Sequence, residues 1–213
     1  MSVEFRAQLA RIHEKFEQAR MADHDFRIFG ADQHRYDIAP AVSAAEVVAF
    51  QAEYGVTLPD AYRVFVTEFA AGGAGPFFGL YRFRRDMVHP DRAAVLALDA
   101  QVSPDMADED WAKLTAVWDD DDLHDAAFDA ASERVFSGIL PLGFQGCESY
   151  HGLLLTGPYR GQVINYHIES KPVFAFEHSF LDWYERWLDE VISGQLRASP
   201  GEWFGYQPAR NLR

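Results

Sequence analysis

At 213 residues, with 48% hydrophobic and 24% charged side chains, the chain is long enough to bury a sizeable core and lies far from the composition of disordered segments. A single cysteine, Cys147, excludes an internal disulfide, and no apolar run approaches the roughly 18 residues of a membrane span. The formal net charge of −14 disfavours the attraction to phosphate on which nucleic-acid and anionic-membrane binding rest, so neither partner is expected.

The start, "MSVEFRAQLARIHEKFEQAR", is charged at Glu4, Arg6, Arg11, Glu14 and Lys15 and lacks the apolar core of a signal peptide. With the lone cysteine, this makes a reducing cytoplasm the expected compartment. Phe5, Leu9, Ile12 and Phe16 fall on one stripe and predict an opening helix. "MADHDFRIFGADQHRYDIAP" reads as an extended or irregular connection ending at Pro40. Ser43 followed three residues on by Glu46 forms a capping box for a second helix, which Gly55 stops. In "VTLPDAYRVFVTEFAAGG", Pro59 suits a first helical turn, and Tyr62, Phe65, Val66 and Phe69 predict a buried face that Gly72 and Gly73 would end.

The stretch "GGAGPFFGLYRF", residues 72–83, invites a phosphate-cradle reading. Gly73, Gly75 and Gly79 give G-x-G-x-x-x-G after a helix, not G-x-G-x-x-G between a strand and a helix. Pro76 removes an amide donor, and no Walker lysine follows. The stretch is therefore expected to be a corner that swings the buried helix into a strand, "FFGLYRF".

Residues 86–133 read as short helices with acidic connections. Trp111, Leu114 and Trp118 form one apolar stripe, and Leu123, Ala126, Ala127 and Ala130 a smaller one. From Asp105 to Glu133, eleven acidic residues stand against one base, Lys113, so this segment holds 10 of the 14 excess negative charges. Such charge is not buried without partners, and the segment is expected to be a surface insertion. Its plain role is a solubilising face. Its functional role is a docking surface for a cationic protein through Glu109, Asp110, Asp119, Asp120, Asp121 and Asp122. Trp111 and Trp118 are either apolar anchors of that surface or core residues.

Beyond Arg134 the pattern changes. "RVFSGILPLG", "YHGLLLTG", "GQVINYHI" and "KPVFAFE" are short and rich in aliphatic and aromatic residues, and they predict a mostly antiparallel sheet. "SFLDWYERWLDEVISG" predicts a closing helix capped by Ser179, with Phe180, Trp183, Tyr184, Trp187, Leu188, Val191 and Ile192 on one face and Gly194 at its end. In the tail, Trp203, Phe204 and Tyr206 are expected to pin the chain to the body.

No catalytic centre, cofactor or metal site is expected. Cys147 and His151 in "GCESYHG" would lie roughly 13 Å apart on a strand, too far for a nucleophile–base pair, which leaves Cys147 as a small buried hydrophobe and His151 as a strand or edge residue. His13-Glu14 opens like H-E-x-x-H, but position 17 is glutamate. The aspartate run breaks the ligand alternation of an EF-hand at Leu123, and no G-x-S-x-G elbow occurs. Paired carboxylates discriminate nothing in a chain with 33 acidic residues.

"LPDAYRVFVTEFAAGGAGPFFGLYRF" resembles the signature of the SUKH superfamily of Smi/Knr type: a Leu-Pro-acid start, an aromatic helix and a Gly-Gly-x-Gly-Pro turn into an aromatic strand. "GILPLG", "LLLTGPYRGQV" and "SFLDWYERWLDEVISG" resemble its strand core and closing helix, in the same order, over about residues 43–83 and 137–194. No internal repeat or low-complexity linker divides the chain, so a single α+β domain of this kind is expected across 1–213, with a core at about 43–83 and 134–194 and, departing from the minimal family core, an acidic helical insertion at about 86–133. The resemblance implies helices packed on a largely antiparallel sheet and no catalytic centre. It further implies a protein-binding role. Bacterial members are mostly immunity proteins that neutralise toxins, often nucleases, which makes a basic toxin domain the expected partner. Fungal relatives regulate cell-wall synthesis, and a regulatory or scaffolding module is the alternative.

Overall fold

The computed structural model describes residues 2–84, 88, 90–119, 124–167 and 170–198. Helix α1, Val3–Ala22, is capped by Ser2, whose Oγ accepts from the Phe5 amide (3.2 Å). Its stripe of Leu9, Ile12, Phe16 and Ala19 is buried, and it lies against the closing helix α8, Phe180–Ile192. Ser179 caps α8 as the spacing predicts, and Trp183, Tyr184, Trp187, Leu188 and Val191 fill its buried face.

A charged seam joins the two helices at their rim. Glu185 accepts from Arg11 Nε (2.9 Å), Lys15 Nζ (3.0 Å) and Gln8 Nε2 (3.2 Å), and Lys15 also reaches Asp189 (2.7 Å). Burial alone would raise the Glu185 carboxyl, but the hydrogen bonds from Arg11, Lys15 and Gln8 outweigh it and hold the group down at about 2. Because the folded value lies below that of the unfolded chain, the seam's contribution is complete above about pH 4.5 and is lost as the pH falls towards 2. Glu185→Gln is expected to cost about 1–2 kcal/mol at pH 7 and to flatten the acid limb between those values, which urea midpoints at pH 7, 4.5 and 3 would measure.

The irregular connection contains a short helix α2, Ala31–His34, and is tied down by polar groups. Buried Asp23 accepts from the amides of Arg27 (2.8 Å) and Ile28 (3.3 Å) and from the Tyr36 hydroxyl (3.1 Å). His34 Nδ1 accepts from the Tyr36 amide (3.1 Å). Helix α3, Ala44–Tyr54, carries the full Ser43–Glu46 capping box and ends at left-handed Gly55. Helix α4, Asp60–Glu68, buries Tyr62, Phe65 and Val66.

The corner differs in detail from expectation. Helix α4 ends with Phe69 as its C-cap, before the glycines. Residues 70–74 then bend through the corner: Ala71 and Gly72 pair with Ala39 (3.1 and 2.9 Å), while Gly73 exchanges hydrogen bonds with Leu80 (2.9 and 2.6 Å). Gly73 stands at φ +106°, and a Cβ there would meet the Asp37 carbonyl oxygen at 2.4 Å. "FFGLYRF" is not a regular strand. Phe77 is left-handed (φ +55°), and the segment meets the main sheet through the Tyr81 amide and the Leu142 carbonyl (2.7 Å).

Four strands form the sheet: β1 Ile139–Gly146, β2 Ser149–Leu154, β3 Val163–His167 and β4 Ser170–Phe174, an antiparallel meander in sequence order. β1 begins later than its apolar run, "RVFSGILPLG", because Arg134 and Val135 still belong to a helix. With the flanking helices this is the α+β arrangement expected. Alternation along the strands divides the interior. Leu140, Leu142, Leu153 and Val163 face α8 in the main core. Ile139, Leu154, Ile164 and Tyr166 face a second core on the other side.

That second core lies under the acidic segment. After α5, Pro90–Ala93, come α6, Asp108–Thr115, a 3-10 turn, Ala116–Asp119, and α7, Asp125–Val135. Trp111, Leu114 and Trp118 are half-buried against Val135 and Phe136. The smaller alanine stripe does not pack as expected. Ala126 and Ala130 are exposed, and α7 makes contact through Ser132, whose Oγ accepts from Trp118 Nε1 (3.1 Å), and through Val135. Leu123 and the tail aromatics Trp203, Phe204 and Tyr206 lie outside the described residues. A last turn, α9, Gln195–Ala198, follows α8.

The hairpin from β1 to β2 closes in two residues, Cys147 and Glu148, both with positive φ (46° and 60°). This is the geometry that favours Asn-Gly, and neither residue here has that freedom. Cys147→Asn combined with Glu148→Gly is expected to stabilise the fold by about 1–2 kcal/mol, read as a raised urea midpoint.

Candidate functional site

The acidic face is built on α6 and its 3-10 continuation. Asp108, Glu109 and Asp110 occupy the first turn of α6, whose cap residue, Ala107, offers no side chain to the open amides. Carboxylates there favour the helix through its dipole, so part of the charge has a local reason. Asp108 is engaged: Lys171 Nζ of β4 lies 2.5 Å from it, lowering its carboxyl pKa, and also donates to the Met106 carbonyl (3.0 Å). Lys113 reaches Asp110 at 3.1 Å, and Glu133 holds Arg92 at 2.6 Å.

Glu109 and Asp119 stand at opposite ends of the helical stretch. Both are exposed, and among the described residues neither makes an ion pair. Asp120, Asp121 and Asp122 lie outside the described residues. Trp111 and Trp118 meet edge to face (5.8 Å), and both rings contact Phe136. Their place is thus in the second core, where they fix the acidic helices to the sheet.

The other sequence candidates are separated by the fold. Cys147 is exposed on the hairpin turn, not buried as expected, because a two-residue turn leaves its side chain no wall to pack on. His151 is fully buried on β2, an inner strand of the sheet, with its ring between Phe77 and Trp183. Burial lowers it to about 3, against a hydrogen bond with the Pro76 carbonyl, so it stays neutral. Gln145 Nε2 approaches its Nδ1 (3.1 Å) and donates to Asn165 Oδ1 (3.2 Å), a polar row across three strands. In the glycine corner the amides of Gly73, Ala74, Gly79 and Leu80 all donate to backbone carbonyls of the corner and of Asp37, which leaves them no phosphate to hold. Among the described residues, no group of three His, Cys, Asp or Glu side chains is placed to bind a metal, and no helix is long and apolar enough to cross a membrane.

The model of the SMI1 / KNR4 family (SUKH-1) matches residues 41–186, from the lead-in to α3 through the sheet and into α8. The chain belongs to this family. No curated protein and no solved structure matches the chain. Membership of the SMI1 / KNR4 family supports an immunity or regulatory role exercised through protein contacts. In the terms of the structure, that family segment holds the sheet, the second core and the acidic face, while the main core also draws on α1, on Ile28, Ala31, Tyr36 and Ala39, and on the end of α8.

Proposed function

We propose that this member of the SMI1 / KNR4 family is a non-enzymatic, cytoplasmic immunity protein that neutralises a cognate bacterial toxin by occlusion. The toxin is a basic domain, of which a nuclease is the natural case: carboxylates would take the places that substrate phosphates occupy in its groove. The contacts are Glu109, Asp110, Asp119, Asp120, Asp121 and Asp122, borne on an acidic insertion of about residues 86–133 within one domain. The observation that carries the reading is the pair of exposed carboxylates, Glu109 and Asp119, without ion-pair partners among the described residues, on the segment that holds 10 of the 14 excess negative charges.

The test is binding to the product of a neighbouring toxin-like reading frame, comparing this chain with a variant carrying Glu109→Gln and asparagine at the five aspartates. The on-rate of the variant is expected to fall about tenfold or more at low salt, and its salt dependence to flatten. Equal affinity and on-rate at every salt concentration would remove the acidic face from the mechanism. Family membership equally supports a regulatory or scaffolding module, and an unbiased pull-down that returns host proteins and no toxin would favour that reading.

A further inference from the structure

A line of aromatic rings crosses the outer side of the sheet and emerges from under the acidic helices. Phe136 meets Tyr166 (5.0 Å), Tyr166 stacks on Tyr150 (5.6 Å, 26°), Tyr150 meets Phe144 (5.3 Å), Phe144 stacks on Phe78 (5.8 Å, 19°), and Phe78 touches Phe29 (5.3 Å). Phe144 pairs with Tyr150 and Tyr150 with Tyr166 in the strand register, so these rings stand side by side on a rigid surface. The near end is sealed. Phe136 and Tyr166 are buried in the second core. The far end is not: Phe78, Phe144 and Tyr150 are half-buried, and Phe29 is 49% exposed.

The corner and the β1–β2 hairpin bring the row together. A Cβ on Gly146 would come within 3.3 Å of the Phe78 ring, so a glycine at the end of β1 lets that ring lie over the hairpin. Phe77, Cys147 and Glu148, three non-glycine residues with positive φ, belong to the corner and the hairpin turn that bound the row. Pre-set aromatic side chains of this kind are what protein interfaces use as anchors.

Charge identifies the occupant. The row runs through Phe136 into Trp111 and Trp118, which carry the acidic helices, and exposed Glu148 stands at the hairpin beside Phe144 and Tyr150. At another margin, exposed Arg82 follows Tyr81 and gives that side the opposite sign. We infer that Phe78, Phe144 and Tyr150 seat an arginine-bearing apolar segment of a partner protein, with guanidinium groups over the ring faces and beside Glu148. This rests on the protein-binding reading above and adds the apolar anchor that the carboxylates alone do not supply.

The probe is a short fluorescein-labelled peptide alternating arginine and leucine, with a glutamate-for-arginine counterpart, titrated by anisotropy against the full chain. The arginine peptide is expected to bind and the glutamate peptide not to. Phe78→Ser with Phe144→Ser should weaken binding by about tenfold or more, while Phe176→Ser, at an exposed aromatic outside the row, should leave it unchanged. Phe78→Leu with Phe144→Leu keeps the apolar bulk, guards against misfolding of the serine variant, and should also lose affinity because the ring faces are gone. The inference is overturned by absence of binding, by equal binding of the two peptides, or by serine and leucine variants that bind like the parent. If only Glu109→Gln with Asp110→Asn and Asp119→Asn weakens binding, the row falls and the acidic face stands. If only the ring variants do, the reverse holds.

Discussion

Gly73→Ala is expected to destabilise the protein by about 3–5 kcal/mol, a large part of the about 5–15 kcal/mol that holds a domain folded. Two costs add. An alanine at φ +106° is forced into a region that L-residues avoid, and its Cβ would lie 2.4 Å from the Asp37 carbonyl oxygen. The obstacle is backbone, and that backbone is fixed on both sides: the Ala74 amide donates to the same Asp37 carbonyl (2.8 Å), and Gly73 itself bonds Leu80 in both directions. Relief would require parting residues 37–39, 71–74 and 80–83. A thermal midpoint lower by about 10 °C is the expected reading. Gly194→Ala is the control. Its φ is +76° but nothing lies within 4 Å of the added methyl, so only the conformational cost of about 1 kcal/mol should appear.

Trp187→Ala is expected to cost about 3–5 kcal/mol, the range for deleting a fully buried indole. The ring is 1% exposed, stacks on Tyr36 (6.1 Å, 14°) and meets His34 (6.0 Å) and Tyr184 (5.2 Å). It is therefore the floor on which the irregular connection rests. Its loss should be felt beyond global stability, as faster hydrogen exchange at the Arg27 and Ile28 amides, whose acceptor Asp23 is held by the Tyr36 hydroxyl. Unchanged exchange at those amides, at equal destabilisation, would show that Asp23 secures the connection without help from the indole.

Much of the fold was legible where one local signal decided the geometry. Ser43 with Glu46, Ser179 with Asp182, and the stripe from Phe180 to Val191 specify helices that short-range physics alone defines, and the structure has them. Sequence reasoning failed where distant backbone made the choice. Gly72 and Gly73 look like a helix stop, yet they serve a crossing of three backbone segments that no neighbouring residue announces. The turn at Cys147 and Glu148 lacks the Asn-Gly signature, so nothing between "RVFSGILPLG" and "YHGLLLTG" marks a two-residue hairpin, and Cys147 reads as buried. The acidic face was legible as composition, because charge clustered in sequence stays clustered on one pair of helices. The aromatic row was not: residues 29, 78, 144 and 150 meet only after the corner and the hairpin have folded, and no spacing along the chain hints at it.

The sheet carries a deep core behind it and a shallow one in front, joined by the strands and by residues 88–102, which lend Val88 and Leu96 to the first and Val102 to the second. Trp183 and Trp187 answer to the deep side, whereas Trp111 and Trp118 answer to the shallow side. Replacements along α6 and α7 therefore strain a small, separate set of neighbours and leave the structure behind the strands untouched. Among homologues, drift is expected to be fastest on that outer pair of helices, so that new binding preferences can arise in a lineage while its architecture is inherited unchanged.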